Sequence, residues 1–425
     1  MKTIRKVAIV SASRTAFNKG FTLYENQTPK DLLIGALQGL IDKADLSEKQ
    51  IDEVVGGAVL NASSDFNLVR EAILQTTLSN YTSGYNVQQA CGTSLQTAGI
   101  IMAKIASGQI ESGIACGADS VSKVPFSAHP KFADRLLNVF KAKTTMKKLK
   151  CFKGFSLKEL IPIPVGVNEP QTGLSMGGHC ELMAKEWGIT RKQQDEFALS
   201  SHKKASQAVK LRFNSDLISP YIGVYDDNIL RHDISMSDLE KLRPAFDKKN
   251  GTITPGNATA LTDGASAVLL ASEEWAKQNG FDIHATISFI AHSANDFTAG
   301  DGLLMAPTIA VDKVLKQAGL KFQDFDFYEF HEAFAAQTLC FLKAMNDEQY
   351  NKKFFSRNKV HGEVDMKKVN LVGSSLAYGH PFAATGGRIL GVCEKLIRDN
   401  KDFNRGLIAI CTAGGMGISA IVERY

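Results

Sequence analysis

Two rhythms of apolar residues alternate along this chain. Short apolar, β-branched runs at 6–10 (KVAIV), 53–60 (EVVGGAVL) and 114–118 (IACGA) read as strands. Between them, 29–41 and 91–106 carry apolar residues every three or four positions, the spacing of a buried helix face. Strands alternating with helices predict an α/β architecture.

The same order returns near the C-terminus. A strand is expected at 285–291, a helix at 310–317, a strand at 325–330 and a longer one from 369 towards Gly373. A helix over 382–397 and a strand at 407–411 follow, with 418–423 as its hairpin mate. The stretch QQACGTSLQTAGIIMAKIASGQIESGIACGAD parallels AYGHPFAATGGRILGVCEKL followed by GLIAICTAGG. Each has a polar turn, a helix opening on small residues, a link and an apolar strand ending in Cys or Gly, which points to a duplicated unit. The expected organisation is one half over 1–124, completed by 246–280, and a second half over 281–425. Between them, 125–245 is richer in Lys, His and Met and broken by Pro162, Pro164 and Pro170; it reads as an inserted, mostly helical lobe that includes a helix over 191–211.

Composition narrows the function classes. With 425 residues, 44% hydrophobic and 22% charged, the chain is globular and large enough for more than one core. A net charge of +5 is too small at this length to indicate nucleic acid. The seven cysteines, at 91, 116, 151, 180, 340, 393 and 411, form no CxxC pair, which argues against a disulfide framework or zinc cage and for a reducing compartment. The N-terminal MKTIRKVAIV enters a strand-like run at once, leaving no room for a targeting peptide, and no apolar stretch reaches membrane-span length. The expected location is cytoplasmic.

Three residues stand out as candidates for chemistry. Cys91 lies between a polar turn and a helical pattern, at a helix N-terminus whose free N–H groups favour a thiolate. A lone cysteine is more often a structural, buried thiol, but Gln88, Gln89, Gly92, Thr93 and Ser94 make this surrounding polar and tight. His380 precedes Pro381, which suits the first position of a helix, so the histidine would sit at the cap. Cys411 ends an apolar strand and enters TAGGMG, where glycines let backbone amides approach a ligand. Other motifs fail. Gly415, Gly417 and Ala420 loosely satisfy a dinucleotide fingerprint but have no helix or second strand after them; His331-Glu332 lacks the second zincin histidine, since position 335 is Ala; and no GxSxG elbow occurs.

At these residues the sequence resembles the thiolases. QQACGTSLQ is similar to the family's nucleophile block, YGHPFAATGGR to its GHP histidine block and CTAGGMG to the block carrying a second cysteine. GNATALTDGASA and LSMGGHCELMAKEWGITRKQQDEFALSSH match two more blocks in the right order. Where many thiolases have Asn-Glu-Ala-Phe this chain has His331-Glu332-Ala333-Phe334. That version, with the enlarged stretch near 125–165, is similar to the β-subunits of fatty-acid oxidation complexes. Two departures are conservative: Thr259 replaces the usual Ser and keeps a hydroxyl, and Ala413 replaces a usual Gly and keeps its N–H.

The resemblance implies a thiolase-like fold, two βαβαβαββ halves in αβαβα layers. It implies that Cys91, His331, His380 and Cys411 share one pocket and cleave 3-oxoacyl-CoA with CoA in fatty-acid β-oxidation. Met176, Thr259 and Ala413 would contact substrate or CoA. CoA and acyl-CoA are then substrates, with no metal or redox cofactor. The implied assembly is a homodimer joined to a hydratase/dehydrogenase α-subunit. Two alternatives stay open: an acetyltransferase making acetoacetyl-CoA, and a non-catalytic thiolase-fold subunit for lipid binding. The latter would be expected to lose a catalytic residue. A decarboxylating ketosynthase fits less well, because that group lacks the second cysteine. Finally, 141–158 interleaves seven lysines with Met146, Leu149, Phe152 and Phe155. It is either a solvated face or a docking surface for a partner subunit or an anionic membrane.

Overall fold

The computed structural model describes residues 5–164, 166 and 168–425. In chain order its strands are β1 (Val7–Arg14), β2 (Asn18–Lys19), β3 (Glu53–Gly56), β4 (Ser83–Asn86), β5 (Ser112–Asp119), β6 (Phe126–Ser127), β7 (Ile163–Pro164), β8 (Thr262–Ser272), β9 (Ala285–Ala294), β10 (Phe327–Phe330), β11 (Arg405–Thr412) and β12 (Met416–Arg424). The main sheet runs β10-β11-β12-β9-β1-β8-β5-β3-β4, with β2 beside β8.

That order is a palindrome of pairings about the short β1–β9 contact, where only Ala8–Thr286 and Ile9–Ala285 pair. Outward on one side, β1–β8 and β8–β5 are antiparallel, then β5–β3 and β3–β4 parallel. Outward on the other, β9–β12 and β12–β11 are antiparallel and β11–β10 parallel, with a parallel bridge from Tyr328 to Val369. The chain thus repeats one unit.

Side chains alternate between two cores because successive residues on a strand face opposite ways. In β8, Leu269 joins a core with helix Pro29–Lys43, while Val268 and Leu270 join a central core. In β11, Leu407, Ala409 and Cys411 face a third core with helices Ala306–Ala318 and Ala335–Met345, while Ile408 and Ile410 face the central one. The central core holds helices Thr93–Ala106 and Thr385–Asp399, one from each repeat, packed together. The layers are therefore αβαβα. Strands buried on both faces read as continuous apolar runs, which is why they stood out in the sequence. Fully burying each Leu contributes roughly 1.5–3 kcal/mol.

Two expectations are corrected. The strand expected from 369 towards Gly373 is a single bridge, because Asn370 takes φ 48°. Its side chain accepts from Phe330 N at 2.8 Å and donates to Phe330 O at 3.0 Å, standing in for the missing ladder. The helix expected over 91–106 begins as the 3₁₀ turn Ala90–Gly92, and only then becomes Thr93–Ala106. From β5 to β8 the described residues add no strand to the main sheet, only a parallel bridge from Ile218 to Arg14 of β1; helices such as Arg191–Lys210 and the β6–β7 pair fill that stretch.

Candidate active site

The repeat brings two equivalent turns face to face. The turn Ala90–Gly92 precedes the helix leading to β5, and the turn Phe382–Ala384 precedes the helix leading to β11. The two touch. Cys91 belongs to the first and His380 stands two residues before the second, which brings the Cys91 thiol and His380 Nε2 to 3.1 Å. Backbone conformation sets both. Ala90 takes φ 44°, a conformation that costs an L-residue free energy, immediately before Cys91. Gly379 takes φ 97° immediately before His380, and a Cβ there would meet Thr262 Oγ1 at 2.6 Å. Thr262 in turn accepts from His380 N at 3.0 Å. His380 is accordingly not the helix cap expected from the sequence. Pro381 caps the short turn, and the long helix starts at Thr385.

His331 lies just past β10, with its N–H donating to Ala409 O at 2.9 Å. Its ring centroid is 4.2 Å from that of His380. Nδ1 lies 2.8 Å from Ser375 Oγ, while Nε2 is buried without a protein partner. Cys411, the penultimate residue of β11, is buried, and a charge on Cys91 would push its thiol up further. The backbone N–H groups of Ala413 and of Cys91 itself favour the Cys91 thiolate.

Electrostatics keeps this group uncharged. Burial pushes the Cys91 thiol up to about 12, with the Ala413 N–H pulling the other way and the Asp119 charge adding to the rise. Burial and the nearby Arg388 charge hold His380 down to about 3. Burial, His380 and Arg388 hold His331 well below the usual range, and burial raises Cys411 well above it. The helix N-terminus therefore does not yield a resting thiolate, because desolvation outweighs it.

Met176 opens helix Met176–Glu186 and is half-buried against the third core. Thr259 is half-buried, with its N–H donating to Ala333 O at 3.1 Å, next to the His331 segment. The donor atoms of Cys91, His331 and His380 lie within 4.8 Å of one another, a donor set that zinc accepts.

Sequence reasoning assigned no role to the groups that hold these side chains. Glu332 accepts from Ser201 Oγ at 2.7 Å, Asn370 Nδ2 at 2.6 Å and Leu376 N at 3.2 Å, tying three segments together beneath His331. Asp119 accepts from Val59, Leu60 and Ala383 N–H groups at 2.8–3.2 Å and so fixes the turn after His380. Glu169 accepts from Gly414 N at 2.6 Å. Glu332, Asp119 and Arg388 lie within His331–Phe334, IACGAD and YGHPFAATGGR, so their blocks were visible although their roles were not.

Comparison with known proteins decides the family. Residues 7–274 match the thiolase N-terminal domain and 282–424 the thiolase C-terminal domain. This chain belongs to the thiolase family. The thiolase is 41% identical to a 3-ketoacyl-CoA thiolase of Aliivibrio fischeri, over 98% of this chain and 95% of that protein. It is 40% identical to a 3-ketoacyl-CoA thiolase of Shewanella sediminis, over 98% and 97%. Its fold matches the crystal structure of an acetyl-CoA acetyltransferase of Bacillus anthracis with a TM-score of 0.84 and 26% identity, over the whole of both chains.

Proposed function

We propose that this thiolase, an acyltransferase, cleaves 3-oxoacyl-CoA with CoA to acetyl-CoA and a shortened acyl-CoA in fatty-acid β-oxidation. The observation that carries the reading is the Cys91–His380 contact at 3.1 Å beside His331 and Cys411, in a chain whose full-length relatives bear the 3-ketoacyl-CoA thiolase name.

In this reading the Cys91 thiol gives its proton to His380 as its sulfur attacks the 3-oxo carbon. The oxyanion so formed is held by His331 and by the newly protonated His380. Collapse breaks the C2–C3 bond, and the acetyl-CoA enolate takes a proton from the Cys411 thiol. The acyl group remains on Cys91 as a thioester, its carbonyl polarised by the N–H groups of Cys91 and Ala413; losing one such donor typically costs about a hundredfold or more in rate. The His380 proton passes to the Cys411 thiolate. His380 then deprotonates the incoming CoA thiol, whose sulfur attacks the thioester, and Cys91 leaves and recovers that proton. Met176 and Thr259 line the CoA path.

Residues 125–245 serve in this proposal as a loop domain for CoA and partner contact. Helices Pro130–Lys141 and Thr145–Lys150 bury no residue, and Phe140 is 92% exposed. The segment is folded on itself: Arg135 pairs with Glu159 at 2.6 Å and donates to Cys151 O at 2.8 Å. An ordered apolar face interleaved with lysines supports docking to an α-subunit or an anionic membrane, with the thiolase itself a homodimer. No helix among the described residues is long and apolar enough to cross a membrane.

Thiolysis of 3-oxoacyl-CoA substrates of increasing chain length, with Cys91→Ala as control, tests the reading. Cleavage of long substrates is expected. Activity confined to the four-carbon substrate would support acetoacetyl-CoA chemistry instead, and tight binding without any turnover a non-catalytic role.

A further inference from the structure

Beneath His331 lies a polar group that the reaction scheme leaves unused. Arg388 is buried in helix Thr385–Asp399, and its Nη2 donates to Ser375 Oγ at 2.9 Å and to Ser374 Oγ at 3.1 Å. Its nearest countercharge, Glu329 Oε2, is 3.8 Å from Nη1. Ser375 Oγ also lies 2.8 Å from His331 Nδ1. Ser375 is fully buried, and among the described residues its hydroxyl has no third partner.

The direction of the Ser375–His331 bond follows from what each group is able to do. A guanidinium only donates. Ser375 therefore spends one lone pair on Arg388, and its single hydrogen has one acceptor within reach, His331 Nδ1. Were Nδ1 protonated instead, Ser375 would accept twice and its buried hydrogen would meet nothing. An unmade bond of that kind biases the equilibrium by about tenfold or more. His331 Nε2 has no protein partner in either arrangement, so the choice is made at Ser375.

We infer that Arg388, acting through Ser375, fixes His331 as the Nε2–H tautomer, so that a buried N–H points into the site as a permanent hydrogen-bond donor. The reaction scheme calls for the opposite tautomer at His380: Nε2, 3.1 Å from the Cys91 thiol, has to be open to take its proton, so Nδ1–H donates to Thr385 Oγ1 at 2.6 Å. Two imidazoles whose centroids are 4.2 Å apart then serve as one donor and one base. Arg388 and Ser375 are positioning residues, and the donor role they give His331 rests on the acyl-transfer reading above.

The test is the nitrogen spectrum of the resting enzyme labelled with ¹⁵N-histidine, in which His331→Asn assigns one ring among the nine histidines. The expected result is a protonated Nε2 and an unprotonated Nδ1 at His331 in the wild type and in Ser375→Thr. Ser375→Asp replaces the hydroxyl with an acceptor-only carboxylate that Arg388 still accommodates. It should move the proton to Nδ1 and lower kcat for thiolysis about a hundredfold, the cost of one oxyanion donor, with little change in KM. A wild-type spectrum with the proton on Nδ1 would overturn the inference, as would Ser375→Asp with unchanged tautomer and kcat. Because the spectrum needs no turnover, an inactive enzyme with the expected tautomer would remove the thiolase reading and leave this one standing.

Discussion

At the scale of single residues, the site is built on two neutral groups rather than an ion pair. Cys91 and His380 are within hydrogen-bond reach, yet burial pushes the thiol up to about 12 and the imidazole down to about 3. The signs agree. A thiol raised above its usual range stays protonated at pH 7, and an imidazole lowered below its range stays neutral there. In the proposed reaction the proton crosses only when substrate supplies an electrophile and the oxyanion donors engage. Ultraviolet difference spectra of wild type against Cys91→Ala should therefore show no thiolate absorbance between pH 6 and 9. A thiolate band at pH 7 that vanishes in Cys91→Ala would contradict this and restore the thiolate expected from the helix N-terminus.

Elements explain why those residues meet and how much of this was readable in advance. Strands buried on both faces, such as β8 and β11, announce themselves as apolar runs, and the paired turns show as small-residue helix openings. The α/β alternation and the duplication were therefore legible from pattern, while the αβαβα layering came only with the family resemblance. What the pattern did not show depends on backbone detail. Asn370 ends a strand by replacing its ladder with side-chain bonds, and Cys91 sits in a 3₁₀ turn after a strained Ala90. The roles of Ser375, Glu332 and Asp119 could not be read for another reason: they act through contacts that link residues distant in sequence. The 141–158 stretch was visible as a charge run, and its two readings, surface or docking, are separated only by deletion. Removal of 141–158 should leave kcat within about twofold while abolishing sedimentation with anionic phospholipid vesicles and co-purification with the proposed hydratase/dehydrogenase partner. Undiminished association by both measures would sink the docking role.

In the whole molecule, duplication and chemistry are one arrangement. Each repeat supplies one helix to the central layer, and the turns ahead of those helices meet beside the central core, against which Cys91 packs. The first repeat contributes Cys91, and the second contributes His331, His380 and Cys411. The proposed reaction accordingly requires a covalent intermediate that is held by one half and resolved by the other. Mass spectrometry of the enzyme quenched with a long-chain 3-oxoacyl-CoA in the absence of free CoA tests this most directly. The prediction is one acyl group, two carbons shorter than the substrate chain, on the peptide containing Cys91, and its disappearance when CoA is added. An acyl group on another cysteine, or thiolysis at the wild-type rate with Cys91→Ala, would contradict it.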